Sequence, residues 1–354
     1  MPKVTIDFET RSEADLQQVG AWAYSEHPST DVICACWGVD AKPIGTWLPG
    51  QRIPDDVWLA GVEGIVFEAH NVAFEIAIWQ NVLGPKYGWP GPPQLSQWED
   101  LMAVACYYAM PAKLDSLARA LNFPPKLADG GRLITKYSKL HLKTAHHGPI
   151  PREDLEKFIE YCRHDVMLEQ GIADFLGPLP EHERDVFQRD LAMNLRGLRL
   201  DLPGIAAATA IVEQRSEELT EEFRGITGLN PTQRDKVMGW FQTQGLFLEN
   251  MQADYLEELL DEADIPRGPA RRALEIRLAI NKASTKKLDA MAKQVGRDGR
   301  ARFQTRYHGA VTGRNTGTGF QPLNLSRGYE KMNPDQLVQD IMHRDPRWLD
   351  ALYG

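Results

Sequence analysis

The stretch Val4-Thr5-Ile6-Asp7-Phe8-Glu9-Thr10 carries two carboxylates two positions apart. Val4, Ile6 and Phe8 alternate with Thr5, Asp7 and Glu9, and a period of two predicts a half-buried β-strand. Asp7 and Glu9 then leave one face of that strand, roughly 6–7 Å apart at the backbone. Their side chains can converge on one hard cation, and oxygen-only ligands favour Mg²⁺ or Mn²⁺. By itself an Asp-x-Glu pair also reads as a solvated strand face. Residues further along the chain separate the two readings.

The second piece is His70-Asn71-Val72-Ala73-Phe74-Glu75. A strand is expected to end at His70 and a helix to begin, so Asn71 and Glu75 share a face of its first turn. Asn71 also suits a helix cap, and Glu75 suits the positive helix end. The third piece is Tyr161-Cys162-Arg163-His164-Asp165. Tyr161 and Asp165 stand at the edge of an apolar stripe of Leu155, Phe158, Ile159, Cys162 and Val166. Taken together, Asp7, Glu9, Glu75, Asp165 and Tyr161 suit two-metal phosphodiester hydrolysis. Cations about 3.5–4 Å apart need bridging carboxylates and stabilise both the attacking and the leaving oxygen. A tyrosine hydroxyl can orient the attacking water.

The elements that must position these groups follow an α/β pattern. Strands are expected at Lys3–Glu9, Val32–Trp37 and Ile65–His70. Helices are expected at Val72–Val82, Leu101–Tyr108, Leu114–Leu121 and Arg152–Phe175, the last with Pro151 ahead of Glu153 and Asp154 in its first turn. Gly177-Pro178-Leu179-Pro180 marks a boundary. Beyond it the chain reads as almost wholly helical: Glu181–Arg196, Leu202–Gly225, Thr232–Gln244, Ala253–Glu262 and Pro269–Gln294. The expected division is therefore 1–177, an α/β domain with a mixed sheet flanked by helices, then a mainly α-helical domain over 181–300, then a segment over 301–354.

A chain of 354 residues with 43% hydrophobic and 25% charged composition has ample core for two domains. No run of about 18 apolar residues is present, so no membrane partner is expected. The polar N-terminus begins a strand at once and reads as no signal peptide. Cys34, Cys36, Cys106 and Cys162 contain no C-x-x-C pair and read as reduced core residues, which fits a cytoplasmic protein. His146-His147 reads as a solvated loop. Net charge is 40 − 49 = −9, but Pro266–Lys331 holds fifteen Lys/Arg against Glu275, Asp289, Asp298 and Glu330, or +11. Such asymmetry points to a polyanion on the basic part, or to a solvated basic helix face.

The order Asp-x-Glu, Asn-x-x-x-acid, Tyr-x-x-x-Asp resembles the DEDDy group of proofreading 3′→5′ exonucleases, over roughly Met1–Gly177. Lys113-Leu114-Asp115-Ser116-Leu117-Ala118 resembles that group's Leu-x-x-Leu-Ala segment. Asp100 is a secondary acid that also suits a helix cap. The group usually has Asp where Glu75 stands, which puts metal geometry and rate in question. Past Gly177 the chain resembles family A, DNA polymerase I-like enzymes of the phage type. Gly197-Leu198-Arg199-Leu200-Asp201 is similar to the turn opening their polymerase region. Leu229-Asn230-Pro231-Thr232-Gln233 is similar, imperfectly, to the start of a thumb helix. Thr312-Gly313-Arg314 with Pro322-Leu323-Asn324-Leu325 resembles their first polymerase motif.

The resemblance implies an RNase H-like nuclease domain, a thumb-like domain and the start of a palm. It implies that Asp7, Glu9 and Asp165 hold one Mg²⁺ or Mn²⁺ and that Asp7 with Glu75, through water, holds a second. Tyr161 would orient the water, and Thr10 and Asn71 would contact the terminal nucleotide. The partner is DNA: a single-stranded 3′ end at the acids, and a primer-template duplex on Arg271, Arg272, Lys286, Lys287 and Arg314. The family's palm and fingers do not follow within 354 residues. Polymerase chemistry is therefore expected only if another chain supplies them. Two alternatives stay open: a non-catalytic DNA-binding subunit of a split polymerase, and an RNA 3′-processing nuclease. The last leaves Gly197–Asp201 and Thr312–Arg314 unexplained.

Overall fold

The computed structural model describes residues 2–40, 42, 44–262, 265, 267–281, 283–325 and 333–353. Lys282, Arg327, Glu330 and Lys331 of the basic segment, and its first residue Pro266, lie outside the described residues. The chain forms two compact units, Met1–Leu200 with Lys293–Asn324, and Asp201–Ala292 with Leu325–Gly354.

The first unit is built on a five-stranded mixed sheet. Its strands are β1 (Lys3–Arg11), β2 (Asp31–Val39), β3 (Gly45–Trp47), β4 (Val66–Ala69) and β5 (Trp98–Asp100), in the order β3-β2-β1-β4-β5. β1 pairs antiparallel with β2 and parallel with β4. The expected mixed sheet with flanking helices is present. β3 and β5 are three residues each, too short for a period-two signal to register. The Leu16–Glu26 helix is a further element that periodicity does not predict, and it carries Gly20 at φ +75° inside it.

Trp47, Trp79, Trp89 and Trp98 fill the core beside β1, meeting edge to face; Trp79 and Trp89 have ring centroids 5.2 Å apart at 83°. Such contacts add specific geometry to a large apolar burial. The long helix Arg152–Leu176 lies against β1 and β2 with Phe158, Cys162, Val166 and Ile172 buried.

This unit also takes in Glu181–Leu200 and Lys293–Asn324, so its limits differ from the expected 1–177, 181–300 and 301–354. The physical reason is local packing. Arg297 N–H donates to Glu26 Oε2 at 2.8 Å. Thr305 N–H donates to Asn194 Oδ1 at 3.1 Å, and Phe187 packs on Tyr307. Leu198–Arg199 pairs antiparallel with Arg300–Ala301.

The second unit is helical, as expected. Leu219 and Phe223 of the Leu202–Thr227 helix bury against Val237, Phe241, Leu256, Leu274 and Ile276. The single helix expected over Pro269–Gln294 is two, Pro269–Ile280 and Ala283–Gln294, because the first ends at Asn281 (φ −100°, ψ 11°). Arg271 and Arg272 therefore stand on a different helix from Lys286 and Lys287.

Candidate active site

β1 delivers Asp7 and Glu9 to one face, as the alternation requires. The register with β2 slips after Glu9: Glu9 faces Cys34, but Thr10 faces Val32. One extra residue on β2, Ile33, makes a bulge beside the acids, a device that re-aims side chains next to functional sites. The long helix delivers Tyr161 and Asp165. Asp7, Glu9 and Asp165 each bring a carboxylate oxygen within 4.8 Å of the other two. These residues, with Thr10, Tyr24, Phe74 and Tyr161, line a cavity of about 300 Å³.

Burial and mutual repulsion dominate the electrostatics. Burial first, and Asp165 second, push the Asp7 carboxyl up to about 7. Burial and then Asp7 push Glu9 well up. Asp165 is also raised by burial, which outweighs an ion pair with Lys126. Asp165 Oδ1 is buried without a partner. Three converging carboxylates, one with an orphaned oxygen, are the donor set a hard divalent cation requires.

Glu75 is buried and aimed inward from the first turn of the Val72–Ile78 helix. Its Oε2 has no partner, and burial and then Asp7 hold its carboxyl well up. It is not one of the three acids whose oxygens converge. Asn71 adopts φ +76°, makes no side-chain cap, and donates its N–H to Asp100 Oδ1 at 2.9 Å. It lines a second cavity of about 250 Å³, not the acidic one. Asp100 caps the Leu101–Tyr107 helix through Met102 N–H. Thr10 hydrogen-bonds Tyr24 OH at 2.9 Å.

Several site residues carry little or no signal in the sequence. Lys126 donates to Asp165 Oδ2 at 2.6 Å and to Tyr161 OH at 3.3 Å. Burial opposes its charge, but Asp165 raises it above the ordinary lysine range. Burial raises the Tyr161 hydroxyl, which stays protonated. Glu169 accepts the His70 N–H at 3.2 Å and is raised by burial, then Asp7. Helical spacing, 161–165–169, is a signal that could have found Glu169. Lys126 follows Pro124-Pro125 in irregular chain and has no periodic signal. Cys162 does more than pack: its thiol donates to Asp7 Oδ2 at 3.3 Å. All four cysteines are free and buried.

The nucleic-acid-facing residues expected from the sequence are spread over both units. Arg272 makes a two-pronged pair with Glu222 at 2.6 and 2.8 Å. Arg271 pairs with Glu275 at 3.1 Å. Lys286 and Arg314 are exposed, and Lys287 is half-buried.

No protein-family model matches the chain. It is 29% identical over 357 aligned residues to the DNA polymerase of Bacillus phage SP02, covering 96% of this chain and 52% of that protein. Its fold is similar to the POL domain of Pol1 from M. smegmatis, solved in complex with DNA primer-template and dNTP. That match has a TM-score of 0.55 and 15% identity, over 96% of this chain and 54% of that one. The chain is thus similar in sequence to a phage DNA polymerase and in fold to a Pol1 polymerase domain. It spans about half the length of each of these polymerases, and at 15% identity the structural match speaks to fold alone. No described helix is long and apolar enough to cross a membrane.

Proposed function

We propose that the first unit is a 3′→5′ exonuclease, the proofreading part of a phage-type family A DNA polymerase. It removes nucleoside 5′-monophosphates from single-stranded 3′ ends. The observation that carries this reading is the convergence of Asp7, Glu9 and Asp165 beside the Tyr161 hydroxyl in one cavity. The five-strand order with an acid pair on the central strand suits an RNase H-like nuclease. Asp7, Glu9 and Asp165 would hold one divalent cation, Mg²⁺ or Mn²⁺, and Asp7 with Glu75 a second. Bound ions would supply a more acidic water and neutralise charge at the scissile phosphate.

The chain's own groups do the rest. Tyr161, protonated, can accept from or donate to the attacking water and so fix its line of approach. Phe74, Leu16 and Tyr24 give the cavity an apolar wall for a base and sugar, and Thr10 offers a hydroxyl at its edge. A volume of about 300 Å³ suits one terminal nucleotide. Asn71, facing the other cavity, is not needed to hold that nucleotide.

The second unit is proposed to hold primer-template duplex as a thumb does. Exposed Lys286 is a candidate to meet its phosphates. Arg271 and Arg272 already have acidic partners.

The non-catalytic reading has one observation in its favour, the Lys126 ammonium already seated on Asp165. Degradation of 3′-labelled single-stranded DNA and RNA, with Mg²⁺ and with EDTA, decides between them. Mg²⁺-dependent shortening of the DNA is the expected result. Intact DNA in Mg²⁺ and in Mn²⁺ overturns the nuclease reading, and preferential RNA cleavage overturns proofreading.

A further inference from the structure

The chain from Pro124 to Gly130 meets three residues on one face of the long helix. Pro125 C=O accepts from, or faces, His164 Nε2 at 3.0 Å. Lys126 Nζ donates to Asp165 Oδ2 at 2.6 Å and Tyr161 OH at 3.3 Å, and lies 5.4 Å from the Tyr161 ring centroid. Gly130 approaches the Tyr161 ring so closely that a Cβ there would lie 2.0 Å from Cε2. Residues 161, 164 and 165 are spaced i, i+3 and i+4, so they share that face. The segment thus delivers a positive charge directly onto Asp165, in a cavity also lined by Asp7, Glu9 and Lys139.

Building on the nuclease reading, we propose that Lys126 is a positioning residue of the site: a tethered ammonium that holds Asp165 and Tyr161 in place and competes with a divalent cation for Asp165. Without it, Asp165 loses the ammonium paired with it, so an incoming cation gains more. Without it, Tyr161 also loses the donor beside its hydroxyl, so the water-orienting group is less well fixed. Removing Lys126 should therefore move cation affinity and turnover in opposite directions. A residue that merely supports the fold would lower both or neither.

The test compares wild type with Lys126→Met and Lys126→Arg. Mn²⁺ binding is followed by calorimetry without DNA, and single-strand cleavage is followed at saturating Mn²⁺. Lys126→Met should bind Mn²⁺ roughly 3–10-fold more tightly, the scale of one partly buried charge pair. Its kcat should fall about 10–100-fold with KM changed much less, as for loss of one positioned group. Lys126→Arg should restore kcat to within a few-fold of wild type.

Equal or weaker Mn²⁺ binding by Lys126→Met, or an unchanged kcat, overturns the role of Lys126 while leaving an active wild type intact. A wild type that binds no Mn²⁺ and spares DNA overturns the nuclease reading, and this inference with it. If Lys126→Met does not melt cooperatively, Lys126→Gln takes its place under the same criteria.

Discussion

Gly130 presents bare backbone to the ring of Tyr161. A Cβ added at Gly130 would lie 2.0 Å from Tyr161 Cε2, 2.4 Å from Cδ2 and 2.7 Å from Cζ. The ring is 6% exposed and held between this backbone and the acidic cavity, so it can yield only by leaving its place. Gly130→Ala should therefore slow single-strand cleavage by about 10-fold or more, with overpacking costing about 1–3 kcal/mol of stability. Mn²⁺ affinity should stay near wild type, because the three converging acids are untouched. A variant with wild-type kcat and melting temperature would show that the ring tolerates displacement.

Asp7→Asn should abolish cleavage and leave the fold intact. Metal-free stability should also change its pH dependence. The folded Asp7 carboxyl sits near about 7, above an unfolded value of about 3.9. Its protonated form is the one the native state favours, so its contribution is present below about pH 4 and lost as pH rises through about 7. In EDTA, the wild-type melting temperature should fall between about pH 5 and 7, and Asp7→Asn should flatten that fall. Parallel wild-type and mutant curves would remove Asp7 from the repelling cluster.

Tyr161→Phe should lower kcat about 10–100-fold while leaving Mn²⁺ titration midpoints unchanged. The hydroxyl is a positioned donor and acceptor, not a cation ligand. A large shift in the midpoint would assign Tyr161 to cation binding. An unchanged rate would make it a packing residue.

Glu75→Asp should retain more activity than Glu75→Ala. Its buried Oε2 satisfies no donor of the protein, so its bonding capacity is free for the reaction. Glu75→Gln should raise metal-free stability, since burial and Asp7 both disfavour the charge. Equal rates for the Asp and Ala variants would reduce Glu75 to a buried helix-terminal acid.

Neutralising Lys286 and Lys287 together should lower the log–log salt slope of duplex binding by roughly 0.9 for each phosphate that these side chains neutralise in the wild type. Short single-strand cleavage should persist. Adding Arg271→Ala and Arg272→Ala should cost stability as well, through Glu222 and Glu275 left unpaired. An unchanged slope in filter-binding or fluorescence titrations would make the basic segment a solvated face.

Alternation and spacing in the chain were enough to place Asp7 and Glu9 on one strand face and Tyr161 and Asp165 on one helix face. Those are local, periodic properties, and both elements formed as the periodicity required. The break in the basic helix at Asn281 is invisible in the charge pattern, which runs on across it. The partners of Arg271 and Arg272 were half legible: Glu275 is one helical turn away, but Glu222 lies on another helix. Whether the acids met at all was decided by the tertiary structure. β1 and the long helix are joined across some 150 residues, and only their packing brings Asp165 to Asp7. The same packing turned Glu75 inward without completing the convergence, and turned Asn71 to a different cavity. It also brought Lys126, in irregular chain, and Gly130, at the start of a short helix, onto Tyr161, a meeting that no period in the residues encodes.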